Sequence, residues 1–113
     1  MDKLSFHREA VKKVLGKHKE ILSRNADSEI ENLFVFDEAA DSYVWVRLGW
    51  TARGRLESIT ALVRLLNDKI YIEEDLTEDG IAVELMEKGV STKDIVLAFQ
   101  QPEMRQYTEF ALN

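Results

Sequence analysis

Five carboxylates fall within seven residues at Glu73, Glu74, Asp75, Glu78 and Asp79, the densest concentration of chemically competent side chains in the chain. A hard cation needs several oxygens converging at about 2.0–2.6 Å. Asp75, Glu78 and Asp79 could converge in a loop, but their spacing lacks the alternation of a calcium-binding loop. A carboxylate pair for acid–base work needs a neighbour whose proton it can manage. No histidine lies nearby: His7 and His18 sit in the first quarter of the chain, three helical turns apart and too distant to share a metal ion. There is no cysteine, which excludes a disulfide framework and a thiolate metal site. No phosphate-binding loop or dinucleotide fingerprint is present, and Ser58, Thr60 and Thr108 lie in no hydrolase elbow. No catalytic residue, cofactor or bound metal is expected. A small metal-dependent enzyme using the acidic cluster stays as an alternative.

Charge narrows the partners. The 113 residues carry a net charge of −6. Residues 1–24 hold seven basic groups against three acidic ones, a surplus of four, which leaves −10 on the other 89 residues. An acidic body repels the phosphate backbone that supplies most non-specific nucleic-acid affinity. Lys12, Lys13, Lys17 and Lys19 of the basic segment could still touch DNA, or an acidic partner such as a second copy of the chain. Their other reading is the solvated face of an amphipathic helix. No run of about 18 apolar residues and no signal-peptide core is seen, so the expected setting is the cytoplasm, away from membranes.

One domain of this length buries roughly 65% of its unfolded surface, enough to be stable without staples. Within it, Leu4, Val11, Val14, Leu15, Ile21 and Leu22 recur at helical spacing and predict an amphipathic helix over 4–22. Gly16 weakens it, and would permit close approach of a sheet. The polar residues 24–29 end it. Residues 30–37 contain the apolar run 33–36 and predict a strand buried on both faces. Residues 43–50 are the strongest strand, with Val44, Val46, Leu48 and Trp50 as one apolar face and Tyr43, Trp45, Arg47 and Gly49 as a mixed one. Residues 56–66 fit strand and helix almost equally, and the Asn67-Asp68 turn followed by strand-like 69–74 tips them to strand.

Beyond the acidic cluster, Ile81 and Leu85 begin a short helix that Asp79 or Thr77 would cap and Gly89 would end. Ser91 to Asp94 resembles a capping box and predicts another helix over Ile95, Val96 and Phe99. Residues 102–107 form a further turn, and an apolar tail docks after it. The expected architecture is α+β: an N-terminal helix packed on a four-stranded antiparallel sheet, then two or three short C-terminal helices.

Several pieces carry a resemblance. They are Asp75-x-Thr77-Glu78-Asp79-Gly80-Ile81-Ala82, then Asp94-Ile95-Val96-Leu97, then Pro102-Glu103-x-Arg105-x-Tyr107-Thr108-Glu109-Phe110-Ala111. Before them stand Asn32-x-x-x-Phe36-Asp37, Tyr43 and Gly49-Trp50. In this order the chain resembles the XisI family, the fdxN-element excision controlling factors of cyanobacteria, over essentially its whole length. Two departures are visible: Gln100-Gln101-Pro102 stands where relatives often carry a His-containing run, and Asn67-Asp68 where they often have Asp-Gly. The resemblance implies an accessory factor in programmed DNA excision during heterocyst differentiation, acting beside a XisH-like companion. It implies no catalytic residues. The expected mode is binding of that partner through Asp75, Glu78 and Asp79 and through Glu103, Arg105 and Tyr107, with Arg105 pairing to a carboxylate inside the domain as the structural alternative. A homodimer is a further expectation, and direct DNA contact through the basic helix an alternative.

Overall fold

The computed structural model describes residues 2–24 and 29–113, so residues 25–28 of the predicted first turn lie outside the described residues. Helix α1 spans Lys3–Ser23, and the Asp2 side chain caps it by accepting from the Ser5 N–H at 2.7 Å. Its buried residues are His7, Ala10, Val11, Val14 and Leu15, a stripe at three/four spacing. Burying each of the larger aliphatic side chains contributes about 1.5–3 kcal/mol. The predicted end members Leu4 and Ile21 are exposed. Gly16 meets no sheet, because a Cβ built there would find nothing within 4 Å.

The sheet has five strands in chain order: β1 Ile30–Asp37, β2 Ser42–Thr51, β3 Gly54–Leu66, β4 Lys69–Asp75 and β5 Ile95–Leu97. The first four are antiparallel, as expected, and β3 is a strand throughout. The Asn67-Asp68 turn places both residues at positive φ (54° and 60°), the geometry of a tight hairpin. The fifth strand corrects the expected four-stranded antiparallel sheet. β5 runs parallel to β4, pairing Ile70 with Ile95 and Ile72 with Leu97, so the sheet is mixed. Ser91 does accept from the Lys93 N–H, but it caps only a single 3-10 turn, Thr92–Asp94. The β-branched Ile95 and Val96 then satisfy the open edge of β4 instead of continuing a helix. The C-terminal segments are thus one α-helix, α2 (Ile81–Glu87), and two 3-10 turns, the second being Pro102–Tyr107. The tail docks as expected: the Ala111 N–H donates to the Ile95 carbonyl at 2.9 Å, and Phe110 packs on the core.

The main core cluster lies between α1, α2 and one face of this sheet, the inner face, where Tyr43, Trp45, Ala61, Val63, Ile70 and Ile72 are buried. One predicted face is corrected by this. β1 alternates half-buried with exposed residues rather than being buried on both faces. In β2, whose inward face the sequence left unassigned, the odd residues turn inward, and the even face of Val44, Val46, Leu48 and Trp50 turns out. The β2–β3 register shifts between Trp45 and Val46, where Trp45 pairs with Ala61 but Val46 with Ile59, leaving Thr60 as a bulge. The bulge sends Ile59 outward, where it is 47% exposed, while Ala61 is fully buried.

α2 ends in a glycine, as expected. Gly89 takes φ 93°, a conformation costly for other residues, and lets the Val90 N–H reach the Leu85 carbonyl at 3.1 Å. Its start differs from expectation. Gly80 occupies the cap position and contributes no side chain. Asp75 replaces the predicted Asp79 or Thr77: its Oδ2 accepts from the Ile81 N–H at 2.7 Å. Its Oδ1 accepts from the Thr77 N–H at 2.9 Å and from the Thr77 hydroxyl.

Candidate recognition surface

The acidic turn therefore contains two kinds of carboxylate. Asp75 is half-buried and fully engaged in building the strand-to-helix junction. Glu78 and Asp79 are exposed, and their side chains make no hydrogen bond or ion pair among the described residues. Three converging oxygens for a cation would have to include Asp75, whose oxygens already face N–H and O–H donors. No group of three or more His, Asp or Glu side chains arranged to hold a metal ion occurs among the described residues.

Glu78 and Asp79 help line a cleft of about 470 Å³. Asn32 of β1, Trp45 and Arg47 of β2 and Thr60 of the bulge line it from the sheet. His18 and Leu22, at the end of α1, close one side. The floor is rigid. Trp45 lies between Phe34 and His18, with ring centroids 5.0 and 5.1 Å away, and its indole N–H donates to Asn32 Oδ1 at 2.9 Å. His18 Nε2 stands 2.9 Å from both carboxylate oxygens of Glu84, tying α1 to α2. Gly49 admits the start of β1, since a Cβ there would lie 2.5 Å from the Glu29 carbonyl oxygen. Arg47 is exposed and, among the described residues, its side chain has no partner. Among the described residues, the cleft thus offers an unpaired guanidinium, two unpaired carboxylates and apolar surface. Such a site suits a polypeptide segment carrying both charges.

Glu103, Arg105 and Tyr107 are not among the residues lining this cleft. Among the described residues, Arg105 does not pair with a carboxylate. Its guanidinium donates to the carbonyls of Gln100, Leu112 and Ala98 at 3.1, 3.1 and 3.2 Å, which holds the C-terminal tail to the body. Glu103 and Tyr107 are exposed on the same 3-10 turn, Tyr107 at 76%.

Three of the seven basic groups of residues 1–24 are turned onto the acidic body. Lys12 Nζ lies 2.7 Å from Glu38 Oε1, Arg8 donates to Asp41 at 2.9 and 3.1 Å, and Lys3 reaches Asp94 at 3.1 Å. The Glu38 carboxylate holds the Lys12 ammonium above its ordinary pKa, and the Asp41 carboxylate does the same for Arg8. Lys17 lines a recess shared with Asp79, Glu84 and Glu87. Lys13 and Lys19 remain exposed on the solvent side. His7 is 1% exposed, with Nε2 3.5 Å from Asp94 Oδ2. Burial pushes its pKa down, against the opposing pull of Asp94.

Sequence reasoning did not single out Arg47, Trp45 and Asn32 as a site. Their available signal was one arginine interrupting an otherwise apolar strand.

The family model described as XisI protein matches residues 1–112. No curated protein matches the chain. Among solved structures, the fdxN element excision controlling factor XisI from Anabaena variabilis is 33% identical. It superposes with a TM-score of 0.85 over 99% of this chain and 100% of that one. A XisI-like protein from the same organism is 26% identical, with a TM-score of 0.83 and the same two coverages.

Proposed function

The chain belongs to the XisI family, and from that premise we propose that it is a non-enzymatic accessory factor in the excision of a DNA element. It works in the cytoplasm by binding a second protein, a XisH-like partner. The observation that carries the binding mode is the cleft between Arg47 and the pair Glu78 and Asp79, whose charges have no partner within the described chain. Unpaired charges flanking apolar surface favour an oppositely patterned segment and speed its encounter. Exposed Glu103 and Tyr107 extend the contact area. Asp75 and Arg105 act indirectly, by shaping the turn and the tail.

Co-purification with a XisH-like protein tests this reading. The unmodified chain should retain the partner, and both Arg47→Glu and Glu78→Lys/Asp79→Lys should release it while still melting cooperatively. Failure of the unmodified pair to associate, or equal retention by every cleft variant, defeats the proposal. A shift of duplex DNA at about 50 mM salt, weakening as salt rises, would instead favour direct DNA contact, since phosphate contacts are strongest at low salt.

A further inference from the structure

β3 is longer than the strand that covers it. It runs over Gly54–Leu66, but its pairing with β4 ends where Ala61 meets Asp75. The Leu76 N–H then donates to the Thr60 carbonyl at 2.8 Å. Beyond that bond, residues 54–59 pair with β2 alone among the described residues, in unbroken register. In an antiparallel ladder every second residue turns its N–H and C=O away from the strand it faces. Residues 54–59 therefore present a row of unpaired backbone donors and acceptors, a template for another strand.

A second observation points to a ligand at the same place. Thr60 stands where the open edge begins and is 6% exposed. Its Oγ1 has no hydrogen-bond partner among the described residues. Thr60 also lines the cleft that holds Arg47, Glu78 and Asp79. A buried hydroxyl without a partner is costly, and such groups are uncommon in folded proteins.

We propose, resting on the reading that the cleft takes a segment of a second protein, that this segment binds as an extended strand. It adds to the open edge of β3 along the line that β4 leaves, and it gives Thr60 Oγ1 its missing hydrogen bond. In strand addition the main chain supplies affinity and the flanking side chains select the sequence. Here the flanking charges have a direction. Glu78 and Asp79 share the cleft with Thr60 at one end of the edge, and exposed Arg53 and Arg55 stand at the hairpin tip at the other. The segment that fits carries a basic residue at the Thr60 end and an acidic residue at the tip. Residues 54–59 span about 20 Å at roughly 3.3 Å each, which sets those two charges about five residues apart. Arg47, level with Ser58 on the inner face, takes an acidic side chain that points into the cleft.

Hydrogen exchange of the chain, alone and bound to the XisH-like protein, reads this at single amides. In the free chain every second amide of residues 55–59 should exchange fast, because it faces water rather than β2. In the complex the same amides should slow by about tenfold or more. Thr60→Val removes the hydroxyl and keeps the shape. It should weaken binding of the same protein by about two- to tenfold, the range of one hydrogen bond. The free variant should melt at or above the parent temperature, since an unpaired buried hydroxyl is gone. A complex that forms while these amides still exchange fast overturns the strand addition and leaves the cleft reading standing. Parental affinity of Thr60→Val overturns the proposal as well. Failure of the two proteins to associate overturns both the proposal and the reading it rests on.

Discussion

Replacing Asp75 with alanine should destabilise the protein more than removing any other carboxylate of the acidic turn. Its two oxygens accept from the Thr77 N–H, the Thr77 hydroxyl and the Ile81 N–H. Hydrogen bonds to a charged acceptor contribute about 1.5–3 kcal/mol when well buried. Asp75 is only half-buried, so about 1 kcal/mol for each is the better figure. The loss of an N-terminal cap gives an independent figure of about 0.5–2 kcal/mol for the Ile81 contact alone. Together these set the expected cost of Asp75→Ala at about 2–3 kcal/mol, and at roughly 4 °C per kcal/mol the melting temperature falls about 8–12 °C. Asp75→Asn keeps one acceptor oxygen but turns an N–H₂ toward a donor, so about half the loss is expected.

Urea denaturation followed by circular dichroism measures this. The midpoint should fall while the slope is unchanged, because little buried surface depends on the carboxylate. Glu78→Ala and Asp79→Ala serve as internal references, and both should stay within about 0.5 kcal/mol of the parent, as surface substitutions do. If Asp79→Ala costs as much as Asp75→Ala, the junction is capped by Asp79 and the hydrogen-bonding argument is wrong. The comparison also guards the partner experiment, since a charge reversal at Asp75 would lose binding through lost structure.

Gly16→Ala should raise stability by about 0.5–1 kcal/mol, because the site is helical and the added methyl meets no atom within 4 Å; an unchanged or lower urea midpoint would refute this. Burial holds the His7 pKa below its unfolded value of 6.5, so the unfolded chain binds the extra proton first and stability falls as pH drops through and below that value. Asp94 draws the proton in, while nearby Lys3 opposes it. His7→Leu should flatten the dependence between about pH 6.5 and 5, and a parent-like slope in the variant would assign the effect to other groups.

The elements that periodicity sets were legible in the sequence: α1, β1 through β4 and α2 all lie where spacing puts them. β5 was not, because three residues after a good capping serine look the same whether a helix follows or a neighbouring strand claims them. That choice is made by the open edge of β4, which is not local information. The direction in which β2 faces was hidden for another reason. Both of its faces are largely apolar, so alternation sets the period without choosing the side. The bulky Tyr43 and Trp45 fill the space under α1, and Arg47 is tolerated on the same face because it opens into the cleft. The capping of α2 was misread because local rules look two or three residues back, and Asp75 reaches across the whole acidic turn. The acidic cluster was visible from the start, but the division between its structural member and its free ones is a matter of hydrogen bonds.

Thr60 shapes both faces of the sheet. As the extra residue in β3 it reverses the alternation, so Ile59 completes an outer aliphatic row while Ala61, small and fully buried, fits beneath Trp45 on the inner side. Its carbonyl accepts the Leu76 N–H at 2.8 Å, which fixes the start of the acidic turn against the sheet and sets one edge of the cleft. Without the bulge, the residues N-terminal to it would exchange faces, sending Ile59 inward and Ser58 outward. The outer row would lose its β3 member and the cleft its present floor.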